Sequence, residues 1–456
     1  MVTLDSLPTE ILWAITRQLD VHDRFGLLRC SRHFYALLLP ILLEKLVIHR
    51  GKRIAPLVHT ITTKPFLAPY IRSLLVYAWS PKDQSEIDDL TQYERLDYEI
   101  SVFADDSGDI GLDYVNHDGR EYNFALLNER VKSLTLSDRE RRFWMKDLRD
   151  FNEDAWIALL LTLLPNLTRL DIQLPSFGKY VPWVVSRASN LSQPFLSSLS
   201  SVYLDIRAFD DGYFGSPLAL PFFRLPNMRR FHSRRLIETW PLTGTGNSPI
   251  THIEMSCAWE MDGPRELVTI CKNLRSFKYH LNFYASYHEL ETFSAQDIID
   301  CLRHAKDSLE TIWLDIAPVE IDDVERGFTS FTEFTALKYL RINRAMLSAL
   351  DPWADPTHAS IFRNILPSTI EKLQIAGIDE KAADELAMGV ERHIVSALDQ
   401  TPNLKEIILK GDLDNASLDN VRHACAEATI RFRTQEGRYS LGRVGDGFED
   451  PFPSDN

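Results

Sequence analysis

A catalytic thiol is the first chemistry to test. Cys425 stands in LDNVRHACAEATI near the C-terminal end, and a thioester-forming cysteine there would have to be exposed and acidic. That segment is amphipathic, so the thiol reads as a buried structural one. Gly442–Gly447, GRVGDG, is rich in glycine, but a phosphate cradle sits between a strand and a helix N-terminus. Here the polar run FEDPFPSDN follows instead. The stretch Asp83–Glu121 holds 13 acids and two arginines. Read as a calcium loop from Asp105, it puts Ile110 where glycine is needed and Asn116 where glutamate is needed. It reads as a solvated acidic loop. No GxxxxGK[ST], GxSxG or HExxH occurs, and the thirteen histidines show no ligand spacing. The expectation is a protein that is not an enzyme, with no catalytic residue, metal or cofactor.

Composition narrows the classes further. The net charge of −15 disfavours nucleic acid, which needs a basic footprint. Arg139–Arg142 and Arg229–Arg235 therefore read as solvated faces. The longest apolar stretches, Ala36–Leu43 and Ala155–Leu164, are too short for a bilayer, so no membrane partner is expected. The first twenty residues are acidic and do not resemble a signal peptide. Five widely spaced cysteines without a CxxC fit a reducing compartment, cytoplasm and/or nucleus.

Binding surfaces must then carry the function. In LPTEILWAITRQL, Leu7, Ile11, Leu12, Ile15 and Leu19 form one helical stripe, with Pro8 in the first turn. A break at Asp20 and Asp23 leads to a second helix with Leu27 and Leu28, and SRHFYALLL makes a third that Pro40 should end. Three short helices carry more apolar surface than they can hide from one another. The surplus packs on the rest of the chain or docks a partner's helices. The order LP, E-I-L, I, L, Asp23, Phe25–Leu28 and SR-x-F resembles an F-box over about Leu4–Leu42. The departure is Phe34, where many F-boxes have Trp. The resemblance implies a Skp-type adaptor as partner and, through it, a cullin–RING ubiquitin ligase. Leu7, Pro8, Ile11, Leu12, Ile15 and Leu19 would contact the adaptor, with Phe25, Leu28 and Phe34 in support.

Beyond these helices a template recurs: apolar-x-x-apolar-x-apolar. Copies start at Leu43, Ile71, Val131, Leu167, Leu199, Met228, Ile250, Leu274, Leu309, Leu337, Ile370 and Leu404. At 45% apolar residues, roughly 40 such matches arise by chance, so context must carry the signal. LPNL, LPNM, CKNL and TPNL precede four copies, and helical segments such as DAWIALLLTLL, RELVTIC and ADELAMGVERHIVSALDQ precede several. Helix, turn, short strand and helix again make a right-handed parallel array.

This resembles an irregular leucine-rich repeat solenoid, an α/β fold with parallel strands on the concave face and helices on the convex face. The expected organisation is an F-box at 1–42, a solenoid over 43–433 with an acidic insertion at 80–128, and a disordered tail at 434–456. Strand alternation sends the last two apolar residues of each copy inward. The concave side then receives Tyr203, Asp205, His232, Arg234, Glu254, Lys278, His280, Trp313, Asp315, Arg341 and Asn343, with Arg230 and Tyr339. Its Trp, Tyr, His, Lys and Arg members are candidates for gripping an unknown target protein. The function expected is a substrate-recognition adaptor of an SCF-type ligase; the alternative is a non-degradative binding scaffold.

Overall fold

The computed structural model describes residues 4, 7–48, 54–77, 79, 122–134, 137–174, 178–188, 195–206, 214–237, 247–256, 262–281, 295–316, 330–347, 361–413 and 418–436. Most of the acidic insertion and residues 437–456, with GRVGDG, lie outside them. The chain forms two compact units: Met1–Gly212 with Leu225–Asn227, and Tyr213–Arg224 with Met228–Asn456.

The first unit opens with α1 (Thr9–Gln18), α2 (Val21–Leu28) and α3 (Arg32–Glu44). The breaks between them are cap residues. Asp20 accepts the Asp23 amide at 2.7 Å and Ser31 accepts that of Phe34 at 3.2 Å, each satisfying a helix-end donor. Arg24 ties α2 back to α1 by donating from Nε to the Thr16 carbonyl at 2.8 Å. Leu12, Phe34 and Leu38, at 1%, 4% and 0% exposure, are the centre of this three-helix cluster. Leu7, Leu27, Leu28, Leu37, Ile41 and Leu42 pack around it. Pro40 does not end α3, contrary to its sequence reading; the helix runs on to Glu44. Proline costs one backbone bond there, but Ile41 and Leu42 gain their packing only if the helix continues.

Glu44 leads directly into β1 (Lys45–Ile48), and α4 (Ile54–Thr63) precedes β2 (Ser73–Val76). Among the described residues four more helices follow in this unit: α5 (Phe124–Lys132), α6 (Asp138–Arg149), α7 (Glu153–Leu163) and α8 (Tyr180–Ala188). β3 (Arg169–Leu174) lies between α7 and α8, and β4 (Ser201–Ile206) follows α8. The strands are parallel in the order β1-β2-β3-β4. The template copy at Val131 is not a strand. Leu127 and Val131, four apart and buried at 1% and 0%, lie on one face of α5, which Asn123 caps. The insertion therefore ends before Phe124 rather than at 128. Several buried polar groups here are paired, as burial favours. Trp144 and Trp156 donate their indole N–H groups to the carbonyls of Ala155 and Leu148, each at 3.0 Å. The Asp154 carboxylate, 1% exposed, accepts the amides of Lys179, Tyr180 and Val181 at 2.6, 2.6 and 3.0 Å. It thereby binds α7 to the N-terminus of α8, where the helix dipole favours negative charge.

The second unit begins with a two-residue strand, β5 (Phe214–Gly215), then α9 (Ser216–Phe223). β5 pairs with β7 (Leu236–Ile237), which follows β6 (Arg230–Arg234). Next come β8 (His252–Ser256), α10 (Asp262–Thr269), β9 (Ser276–Leu281), α11 (Ala295–Leu302) and β10 (Thr311–Ile316). β11 (Tyr339–Asn343), α12 (Ile361–Ile365), β12 (Lys372–Ile378), α13 (Glu380–Ala397), β13 (Glu406–Gly411), α14 (Asp419–Glu427) and β14 (Arg431–Glu436) complete it. The strand order is β6-β8-β9-β10-β11-β12-β13-β14, all parallel. β14 was missed by the template and moves the end of the array from 433 to Glu436. It occupies the sheet edge with Arg431 and Arg433 exposed.

The recurring Pro-Asn turn has a physical cause. Asn166, Asn227 and Asn403 each donate from Nδ2 to a carbonyl of the preceding repeat: Pro69, Ser197 and Ser368, at 2.9, 2.7 and 3.1 Å. Amide side chains thus extend the backbone ladder beyond the strands. One register shift interrupts it, between Ile375 and Ile378 of β12. Gly377 there has φ 69°, and a Cβ on Gly411 of β13 would lie 2.2 Å from the Ile378 carbonyl. Both positions demand glycine, one for its conformation and one for space.

Candidate functional site

The strands of the second unit have one sealed face. Ile253, Met255, Phe277, Tyr279, Ile312, Leu314, Leu340, Ile342 and Ile375 are at most 1% exposed. The alternate residues make an outer face, and the parallel register sets them in rows. One row runs His232–Glu254–Lys278–Trp313–Arg341–Gln374. Another contains Ser276–Thr311–Tyr339–Lys372–Glu406–Arg431. Tyr203 and Asp205, the two remaining candidate positions of the first unit, are half-buried on β4.

Trp313 sits between two cations. The Arg341 guanidinium lies 4.0 Å and the Lys278 ammonium 5.2 Å from its ring centroid, within cation–π range. Tyr339 meets the same indole edge-on at 6.3 Å and donates its hydroxyl to Gln374 at 2.8 Å. Beneath the cations lie carboxylates. Arg341 pairs with Asp315 at 2.5 Å, and His280 stands 4.0 Å from it. Glu254 lies 3.4 Å from Lys278 and 3.9 Å from His232. Glu406 takes Lys372 and Arg433, each at 3.2 Å. Burial outweighs the Lys278 ammonium and holds the Glu254 carboxyl above the usual carboxylate range. It also keeps the His280 imidazole below the usual histidine range, with Arg341 and Lys278 adding to burial and Asp315 opposing.

Two expected contact residues are not presented to a partner. His232 is 0% and Arg341 7% exposed. His232 faces Ser256 Oγ at 3.3 Å. Arg341 spends its charge on Asp315 and Trp313, so it positions the indole. Asn343, at 0%, is also shut in. Lys278, His280, Trp313, Tyr339, Arg230 and Arg234 stay half-buried and keep accessible surface. Sequence reasoning missed Lys372, Glu406 and Arg433. Alternation along β12 and β13 is the signal for Lys372 and Glu406, whereas Arg433 lies on β14, which the template does not cover.

A family model described as a leucine-rich repeat domain matches residues 46–435. The chain belongs to the leucine-rich repeat family. The parallel strands, helical connections and asparagine turns above are its repeats. A search of curated proteins found no match. Repeats of this family generally bind protein partners, and the rows above are the outward side chains that the second unit presents.

The repeat match begins at Leu46 and leaves the three N-terminal helices outside it. Of the residues that F-box resemblance assigns to an adaptor, Pro8, Ile11 and Phe25 are exposed, the last two at 49% and 53%. Leu7, Ile15, Leu19 and Leu28 are half-buried. Leu12, expected as a contact, is instead closed into the three-helix core, where Phe34, expected in support, lies with it. The helical stripe could not separate Ile11 from Leu12, because adjacent residues differ by 100° and both fit it. Trp13 and Tyr35, at 40% and 44%, add exposed aromatic surface.

Cys425 is 1% exposed and burial pushes its thiol up to about 11; Cys271 and Cys301 are pushed up to about 12 by the same cause. Such thiols are scarcely ionised near neutrality. Asp20, His22 and Asp23 bring donor atoms within 4.8 Å of one another, all exposed, but Asp20 is already the cap of α2. Arg139–Arg142 lie on α6. No helix among the described residues is long and apolar enough to cross a membrane.

Proposed function

We propose that this protein is the substrate-recognition subunit of an SCF-type cullin–RING ubiquitin ligase, with the N-terminal helices holding a Skp-type adaptor and the repeats holding the target. The observation that carries the reading is the pair of exposed apolar side chains Ile11 and Phe25 on a unit whose core is already filled by Leu12, Phe34 and Leu38. These side chains add nothing to that core, and exposed apolar surface of this kind belongs to interfaces. The F-box-like order of residues names the partner. In this reading the repeats supply the binding face. Their role is proximity: a target held beside a charged ubiquitin-conjugating enzyme meets it at high effective concentration.

The test is capture of a Skp-type adaptor by the full chain. Ile11→Asp with Phe25→Asp should abolish capture while far-UV circular dichroism and the melting temperature stay unchanged, since both side chains are exposed. Leu12→Asp should instead unfold the helical unit, because it buries a charge. Undiminished adaptor capture by the folded double variant would refute the assignment. Co-purification of the cullin with the adaptor supports degradation.

A further inference from the structure

The outer face of the second unit is layered by charge. Its carboxylates lie low: Glu254 and Glu406 at 16% and Asp315 at 23% side-chain exposure. Three of its cations stand higher: Lys278 at 30%, Lys372 at 37% and Arg433 at 53%. Lys410 and Arg431 share the face on β13 and β14, and Arg341 is sunk beneath them at 7%. From β8 to β14 this face therefore carries six cations over three carboxylates among the described residues, on a chain whose net charge is −15. An approaching ligand meets ammonium and guanidinium groups before it feels the acids below.

We propose that this strip binds an acidic, extended segment of a protein partner, with Trp313 and Tyr339 receiving an apolar side chain among its carboxylates. The inference rests on the repeats being the protein-binding part of the chain and names the class of segment they take. Seven strands at about 4.8 Å spacing make a strip near 29 Å long, which about nine extended residues span. Lys278 and Lys372 flank the aromatic pair, on β9 and β12 beside β10 and β11. Cations thus border the apolar contact on both sides, which fixes the order acid, apolar, acid in the ligand. A nucleic acid fits less well. Glu254, Asp315 and Glu406 recur along the strip and would face a continuous phosphate chain.

The experiment uses the full chain and needs no adaptor, so it succeeds or fails independently of the ligase assignment. Fluorescein-labelled twelve-residue peptides are titrated: one glutamate-rich with a central Leu, its lysine counterpart, and an oligothymidylate of equal charge. The glutamate peptide should bind, weaken as salt rises, and outcompete the other two. Lys372→Glu with Arg433→Glu should lower its affinity at least about tenfold. Arg422→Glu, on α14, should leave it unchanged. Because the double reversal crowds Glu406, Lys278→Gln with Lys410→Gln provides a milder variant, expected to weaken binding several-fold with an unchanged melting curve. Absence of glutamate-peptide binding, equal binding of the lysine peptide, or indifference to both double variants would overturn the proposal. Tighter oligothymidylate binding that depends on the same lysines would replace it with a nucleic-acid site.

Discussion

The two units solve the same problem on their outer sheet faces with opposite chemistry. In the first, Asp171 is 8% exposed and accepts the Tyr77 hydroxyl at 2.9 Å, while its Oδ1 has no donor among the described residues. Burial raises the pKa of both groups. In the second, Asp315 is met by Arg341, and Glu406 by Lys372 and Arg433. The hydroxyl brings no charge to Asp171, whereas Asp315 and Glu406 each face a cation. The lesson is that a repeat fixes where an outward side chain stands and leaves its electrostatics to each unit.

The largest test of this contrast is Arg341→Ala. It strips Asp315 of its bidentate-capable partner and Trp313 of its nearer cation, and should cost about 2–3 kcal/mol by urea denaturation. A cost below about 0.5 kcal/mol would mean the pair behaves as a surface salt bridge. Next comes acid. His393 is 2% exposed, bonded to Thr401 Oγ1 at 2.9 Å, and held down to about 4, chiefly by burial. Its folded pKa lies below the unfolded one, so its contribution is complete above about pH 6.5 and lost as pH falls toward 4. Moving from pH 7 to 5 should cost about 2 kcal/mol, and His393→Gln should flatten that fall. Asp171 and Asp154 have raised values, so their sign is opposite and acid does not weaken those sites. Tyr77→Phe is smaller, about 1–2 kcal/mol, because Asp171 can then ionise only without a donor; Asp171→Asn should relieve part of it. Asn403→Ala is smallest, about 1 kcal/mol for one exposed side-chain bond.

Much of the fold was legible in the sequence. Eleven of the twelve template copies are strands, because buried alternation marks them, and a Pro-Asn turn precedes three of these, at Leu167, Met228 and Leu404. Val131 failed since i, i+4 spacing with Leu127 satisfies a helix equally well. β14 escaped because an edge strand buries one side incompletely: Phe432 is half-buried and Arg431 and Arg433 are exposed. The candidate site was half legible. Alternation sorts residues between faces but not by depth, so Trp313 and Arg341 looked alike although one keeps its surface and the other is enclosed by Asp315 and the indole. Depth depends on neighbours from other strands, and register with them is set by packing far away in sequence.

The arginines of β14 have a meaning for the life of the protein in concentrated solution. A parallel sheet that simply stopped would offer its last row of backbone amides and carbonyls to any extended chain, including another copy of itself. Here that border carries Arg431 and Arg433 on its outer side, so two molecules brought border to border meet like charges before their backbones can pair. Replacing both arginines with valine would leave the repeats intact and turn their end into a template for fibres, visible as thioflavin-positive aggregates growing with protein concentration.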